Sequence, residues 1–595
     1  MSQSTHRLTH RSPRAGRRLP SRTLAAALAA TAGMILAGCA HNAASDPDVA
    51  YVNGKIITAD KDFSVAQAVA VRNGEFVAVG SSDAIRQLAT PRTKVVDLQG
   101  RTVVPGLMDA HTHMDGAGTV ETTAQVIKAR TVAEAQSIIG DFIRAKNVPP
   151  GQWVQTSRWH PPSQLKEQRY LTRQELDAVA PDHPVYVQTV GHFAMANSKA
   201  LQLAGITKTT KDPVGGKIWR DANGDATGVL EETAIDLVTD KIPAPTFEQR
   251  VAQNIAGQRV YNRSGITSTV VAGLNEDQIK AYFTVAERGQ STVRSGLFWR
   301  FPVGSAQEFE ARLKAARFKD GEGNDWARLA GIKLVSDGGM TLKSAYIRSS
   351  YANEPQNHGM VAVDPATYQR VVRLANQYGW RVHTHAVGDA AVDLTLKAYA
   401  AADADRSIRG RRFSVVHGSL IAPDQIDQAK ALDVRVDAQN AFMWDKAGTV
   451  ERYMGRLLAN RAVPTRRLLD VLGMERTSAG TDNEVNLLNP FVGMYLMVTR
   501  KDPRGVVYGA DQKVSREEAL RLYTNAGPYL TFEEDRKGAI AVGRLADMVV
   551  LSADYLTVPD EQIKDIVALQ TIVGGKVVYE AAGRTAAASN RRQPL

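Results

Sequence analysis

Between residues 102 and 481 the chain repeats one pattern eight times: a short apolar, β-branched run followed in most cases by a stretch of helical periodicity. The strand candidates are 102–110, 265–272, 293–300, 330–336, 380–386, 412–417, 433–438 and 476–481, and 364–378 and 389–402 are examples of the helices between them. Eight strand–helix units predict a (β/α)8 barrel. The gap between the first two strands is too long for one crossover. Residues 150–245 therefore read as an insertion over the face where the strands end, with aromatics and turn residues such as Trp153, Trp159 and Trp219. The barrel, with its insertion, is expected over 105–535.

Both flanks of this region are β-rich. Tyr51-Val-Asn-Gly-Lys-Ile-Ile57 and Ala68-Val-Ala-Val-Arg-Asn-Gly-Glu-Phe-Val-Ala-Val79 each place Asn-Gly between apolar runs, a strong hairpin signal. Leu545-Ala-Asp-Met-Val-Val-Leu551 reads as a strand, and Gln570-Thr-Ile-Val-Gly-Gly-Lys-Val-Val-Tyr579 as another hairpin. Neither flank alone can close a core, so 49–104 and 536–585 are expected to form one composite β-sandwich.

The net charge of +11 is partly local. Residues 1–38 hold six arginines and no acidic residue, and without them 67 basic face 62 acidic residues. No basic stripe interleaved with aromatics is present, which argues against nucleic-acid binding. The arginines precede the apolar run Leu24–Leu36, which is followed by Ala37-Gly-Cys39. This resembles a bacterial lipoprotein signal, with cleavage before Cys39 and lipidation of its thiol, and residues 39–48 as a tether. Arg17-Arg18 also resembles a twin-arginine signal, so either export route is open. The expectation is a periplasm-facing envelope lipoprotein, held to a membrane through Cys39. Cys39 is the sole cysteine, which excludes an internal disulfide.

Metal-binding side chains fall at the ends of five of the eight strands: His111 and His113 on the first, Lys333 on the fourth, His385 on the fifth, His417 on the sixth and Asp482 on the eighth. Side chains alternate along a strand, so His111 and His113 face one way and can share a divalent ion. The later residues supply what a second ion needs. Catalytic groups of such barrels sit at these strand ends.

These motifs resemble the metal-dependent amidohydrolase superfamily, in particular the amidohydrolase-3 branch that includes N-substituted formamide deformylases. The resemblance spans roughly 49–580 and rests on Pro105-Gly-Leu-Met-Asp-Ala-His-Thr-His113, Gly191-His-Phe-Ala-Met-Ala-Asn-Ser-Lys-Ala-Leu201 and Gly265-Ile-Thr-Ser268. It continues in Gly331-Ile-Lys-Leu-Val-Ser-Asp-Gly338, His385-Ala-Val-Gly-Asp389, Lys537-Gly-Ala-Ile540 and Gly543-Arg-Leu-Ala-Asp547. It implies that His111, His113 and Asp482 bind one metal ion, that His385 and His417 bind a second, and that Lys333, carboxylated on its amine, bridges them. A salt-bridged Lys333, and Glu232 as bridge, are the alternatives. Zinc suits these ligands, as do manganese, iron, cobalt and nickel.

Asp482 is then expected to take the proton as a metal-bound hydroxide attacks a carbonyl, and to return it to the leaving amine. His192 either contacts substrate or is a packed histidine. His383 is expected one layer deeper as a satisfied core histidine. Asp389 is expected to orient His385 or cap a helix, and Asp337 to do the same near Lys333. The chain departs from the branch at Val415-Val-His417, Gln439-Asn440 and Asn483-Glu-Val485, all at or near the active-site mouth.

The expected activity is hydrolysis of a non-peptide C–N bond in a small amide, formamide or cyclic amide, partly apolar given the insertion's aromatics. A non-catalytic lipoprotein that binds a small molecule, and a hydrolase of esters or lactones or a deaminase, are the alternatives. Self-association is frequent in the family, which makes a homodimer the expectation.

Overall fold

The computed structural model describes residues 46–582, apart from 158, 160, 190–192 and 214–215. Cys39 with its signal segment, and His192, lie outside the described residues. Among the described residues no helix is long and apolar enough to cross a membrane.

Eight parallel strands stand side by side in chain order: β1 (Leu107–Thr112), β2 (Ile266–Leu274), β3 (Arg294–Arg300), β4 (Ala327–Val335), β5 (Val382–Ala386), β6 (Ser414–His417), β7 (Arg435–Ala438) and β8 (Thr477–Ala479). The ring closes between β8 and β1. Asp482 N donates to His111 O at 2.8 Å, and the Asp109 carboxylate accepts from Thr481 N at 2.9 Å and from the Thr481 hydroxyl. Met108, Val270, Ala272, Phe298 and Ala330 fill the barrel axis, with Leu530 closing its lower end. Helices pack outside, as expected from the periodicity. Pro365–Gln377 starts at an Asp364 cap with proline in its first turn, and Asp389–Asp405 follows β5.

The first strand differs from the expectation. The run 102–110 is two strands: Thr102–Pro105 belongs to a flanking sheet, and β1 begins at Leu107. Gly106 lets the chain pass between them, because a Cβ there would stand 2.1 Å from Thr267 Oγ1. A continuous apolar run carries no periodic mark of such a break.

Both flanks of the chain build one six-stranded sheet. Lys55–Ile57, Val65–Ala66 and Thr102–Pro105 join Met548–Leu551, Ala568–Val573 and Lys576–Glu580, and Thr102–Pro105 pairs directly with Met548–Leu551. A four-stranded sheet of Val49–Val52, Ala68–Arg72, Glu75–Gly80 and Lys94–Asp97 packs with it around Tyr51, Val69, Phe76, Val103 and Ile572. Asn73-Gly74 makes the expected hairpin, both residues at positive φ, and Gly574-Gly575 makes another. Asn53-Gly54 does not: Val49–Val52 and Lys55–Ile57 flank it but lie in different sheets. The turn carries the chain across the sandwich instead of doubling it back.

Asp46 and Asp48, at the end of the expected tether, are already fastened to this wall through Arg92 and the Asn73 amide. A buried ion pair, Arg294 to Asp547 at 2.8 Å, joins the wall to β3.

The insertion forms a five-stranded sheet of its own, in the order Gly216–Arg220, Ala226–Glu232, Phe193–Ala196, Val185–Gln188 and Val154–Gln155. Apolar clusters around Trp159 and Met195 and around Leu201 and Leu230 give it a separate core.

Candidate metal centre

His111 is the penultimate residue of β1, which is buried along its whole length, and His113 lies one residue past the strand. Their Nε2 atoms stand 3.5 and 3.3 Å from the same oxygen, Asp482 Oδ1. The three side chains can place one ligand atom each within 4.8 Å of one another. Lys333, near the end of β4, brings Nζ to 3.5 Å from His111 Nε2. The His417 ring lies 4.9 Å from that of His111 and 4.5 Å from that of His385, so the two remaining histidines adjoin the first three ligands. All six residues singled out as ligands thus meet at one end of the barrel.

Their backbone bears the mark of a built site. His417 has φ of 76° and Asp482 φ of 54°, left-handed values for side chains larger than glycine. Such residues cost about 1–3 kcal/mol each and persist where the surroundings over-determine them. At Asp482 the surroundings are the bond to His111 O and the Asp109 clamp on Thr481.

The donor set fits a divalent cation. Asp482 Oδ1 and His111 Nδ1 are buried without a hydrogen-bond partner, which a polar interior rarely tolerates. Burial, helped by the nearby Lys333 ammonium, holds His111 well below its ordinary pKa and lowers His385 to about 4. Burial and the neighbouring His385 lower His417 in the same way. These three rings are neutral near pH 7, the form that ligates a metal.

Two ring orientations are set from behind. Gln439 Nε2 donates to Asp437 O at 2.8 Å, which turns its Oε1 toward His417 Nδ1 at 2.7 Å. Nδ1 of His417 therefore carries the proton, and its Nε2 lone pair is free. His385 Nε2 donates to Gly338 O at 3.2 Å, which frees its Nδ1. Such supports typically contribute a factor of about 10–100 to metal affinity. Gln439→Leu is expected to weaken metal binding by that factor, measured by chelator competition; unchanged affinity would remove Gln439 from the site.

Lys333 is buried, and no ion pair joins it to any described carboxylate. Burial lowers its amine to about 7, against the pull of Asp482 and Asp437. Glu232, the other bridge considered, is exposed at the end of an insertion strand.

His383 is the core histidine expected. It stacks on Phe298 at 3.9 Å and bonds Ser414 Oγ and Ala330 O, each at 2.8 Å. Asp389 does not orient His385: it holds Arg348 N at 2.8 Å and Arg461 at 2.9 Å, which fastens the turn before its helix. Asp337 stands beside His385 instead, 3.5 Å from Nε2, and accepts from Tyr346, Val387 and Gly388 amides. Burial pushes its carboxyl up to about 7.

Asp109 was missed as a site residue, and Gln439 was placed at or near the active-site mouth without its role behind His417. Both lay open to strand alternation: Asp109 is two residues before His111, and Gln439 follows strand β7 two residues after buried Asp437. Phe442, whose ring centre lies 5.9 Å from that of His417, sits on a short helix after β7 that carried no such mark.

Residues 94–579 match the model of the Amidohydrolase family. The chain is 28% identical over 551 residues to the N-substituted formamide deformylase of Arthrobacter pascens, covering 90% of this chain and 99% of that one. It is also 28% identical over 549 residues to the protein LONG AFTER FAR-RED 3 of Arabidopsis thaliana, covering 89% and 91%. A solved structure of an uncharacterized metal-dependent hydrolase from Pyrococcus furiosus superposes with a TM-score of 0.70 at 24% identity, covering 86% of this chain and all of that one. With its eight-stranded barrel, composite β wall and family match over most of its length, the chain belongs to the amidohydrolase family, in the amidohydrolase-3 branch.

Proposed function

We propose that this protein is a metal-dependent hydrolase that cleaves a non-peptide C–N bond of a small amide or formamide. The observation that carries this reading is the convergence of four histidines, one lysine and one aspartate on a single strand-end site. His111, His113 and Asp482 would hold one divalent ion, and His385 and His417 a second. Lys333, its neutral amine bonded to carbon dioxide with loss of a proton, would bridge them. Divalent metal held there supplies Lewis acidity, which brings the pKa of water toward neutrality and polarises a carbonyl.

Asp482 is placed to do the proton work. Its Oδ1 faces both β1 histidines and has no hydrogen-bond partner. It accepts the proton released as water attacks the carbonyl carbon, and delivers it to the departing amine nitrogen. Phe442, beside His417, gives the substrate an apolar wall. The Arthrobacter relative is named for N-substituted formamides, so formamides head the substrate panel.

The first test is metal content per chain on protein lacking residues 1–39, purified with bicarbonate and without chelator. About two ions are expected, with amide or formamide turnover lost on chelation and restored by zinc. No bound metal after reconstitution would overturn the reading.

We further propose that Cys39 is lipidated and anchors the protein at the periplasmic face of the bacterial envelope; the Leu36-Ala-Gly-Cys39 motif after an Arg-rich, apolar leader supports this. Cys39→Ala is expected to move the protein from the membrane fraction to the soluble one. Retention in the membrane fraction would sink the proposal.

A further inference from the structure

Arg300 is the last residue of β3 and is paired in register with Lys333 on β4. Side chains alternate along β3, so Arg300 points the same way as Phe298, which stacks on His383 inside the barrel. On β4, Lys333 shares its side with Gly331, where a Cβ would run into the same His383 ring. Arg300 and Lys333 are therefore neighbours on the inner face, Arg300 at the mouth.

An exposed guanidinium at the end of a strand that leads into the site is placed to receive an anion. Arg300 is exposed, and its side chain makes no hydrogen bond or ion pair with any described residue. Several arginines around the barrel do have carboxylate partners: Arg294 with Asp547, Arg348 with Asp393 and Asp424, Arg381 with Asp320, Arg412 with Glu534. Arg300, paired in register with Lys333, has no such partner among the described residues. Guanidinium presents a planar fork that matches a carboxylate with two parallel hydrogen bonds.

We propose that Arg300 is an anion-recognition residue, and that the substrate carries a carboxylate near the scissile amide. This rests on the hydrolase reading above and adds a substrate class to it. A carboxylate seated on Arg300 would stand one strand away from Lys333 and fix which end of the substrate lies over the metal ligands. The Phe442 ring, across the mouth on the β7 side, would take the uncharged part, the Lys446 ammonium over that ring being paired with Asp445.

The test uses matched pairs that differ only in charge: succinamate and succinamide, N-formylglycinate and N-formylglycinamide, hippurate and hippuramide. Binding to zinc-loaded protein is measured by calorimetry, and turnover is measured separately, for wild type, Arg300→Gln and Arg300→Lys. Wild type is expected to prefer the charged member of at least one pair by about 100-fold. Arg300→Gln should erase that preference and leave the neutral member and the metal content unchanged, and Arg300→Lys should restore part of it.

No preference in any pair, or a preference that survives Arg300→Gln, would overturn the proposal. So would loss of metal in Arg300→Gln, which would make Arg300 a support of the ligand shell. Preferential binding without hydrolysis of any member would sink the hydrolase reading and leave Arg300 its role. Equal binding and equal hydrolysis of both members would do the reverse.

Discussion

Lys333→Ala is expected to release metal, to about one ion per chain or fewer, and to lower turnover by roughly 1000-fold or more. Lys333 lies 3.5 Å from His111 Nε2 and has no carboxylate partner, so its removal breaks no structural ion pair. The barrel should fold, since β4 is held by its ladders to β3 and β5. What is lost is the group that would bridge the two histidine pairs. Acetate or propionate should partly restore both metal and activity by entering the space the side chain leaves. Lys333→Met, similar in bulk but without the amine, should resist that rescue because the space stays filled. Unchanged metal content in Lys333→Ala would end the carbamate proposal.

Asp482→Asn separates proton transfer from architecture. The bonds that hold residue 482 in its left-handed conformation come from its backbone, to His111 O and from the Val485 and Asn486 amides, and survive the substitution. The fold and most of the metal at His385 and His417 should therefore remain. Turnover should fall by about 100- to 10,000-fold even when metal is saturating, because an amide cannot shuttle the proton. Turnover close to wild type would remove Asp482 from the chemistry.

The barrel was legible because buried parallel strands are short, apolar and regularly interleaved with helices, and that pattern is local. The convergence of the six candidate ligand residues was legible for a similar reason: each stands at or near the end of such a strand, where the fold collects functional groups. The division of 102–110 into two strands was not legible. Both halves are apolar, and only the close approach of Gly106 to Thr267 marks the break. The path of Asn53-Gly54 was not legible either. An Asn-Gly pair specifies a turn, but whether the strands around it pair or part depends on partners far along the chain, here Thr102–Pro105 and Lys94–Asp97.

The amino-acid sequence by itself determined the fold class, the family and which six candidate metal-binding side chains stand at strand ends, because strand periodicity and side-chain chemistry are properties of neighbouring residues. Tertiary structure alone decided how those ligands are tuned. Gln439 sets the His417 tautomer, Asp337 rather than Asp389 stands by His385, and the Asp109 clamp holds Asp482 in place. It also decided that Arg300 faces the site beside Lys333 without a carboxylate of its own. Each of these is a contact between strands distant in sequence, fixed by the register and closure of the barrel, and register leaves no local trace in a chain whose strands are buried on both faces.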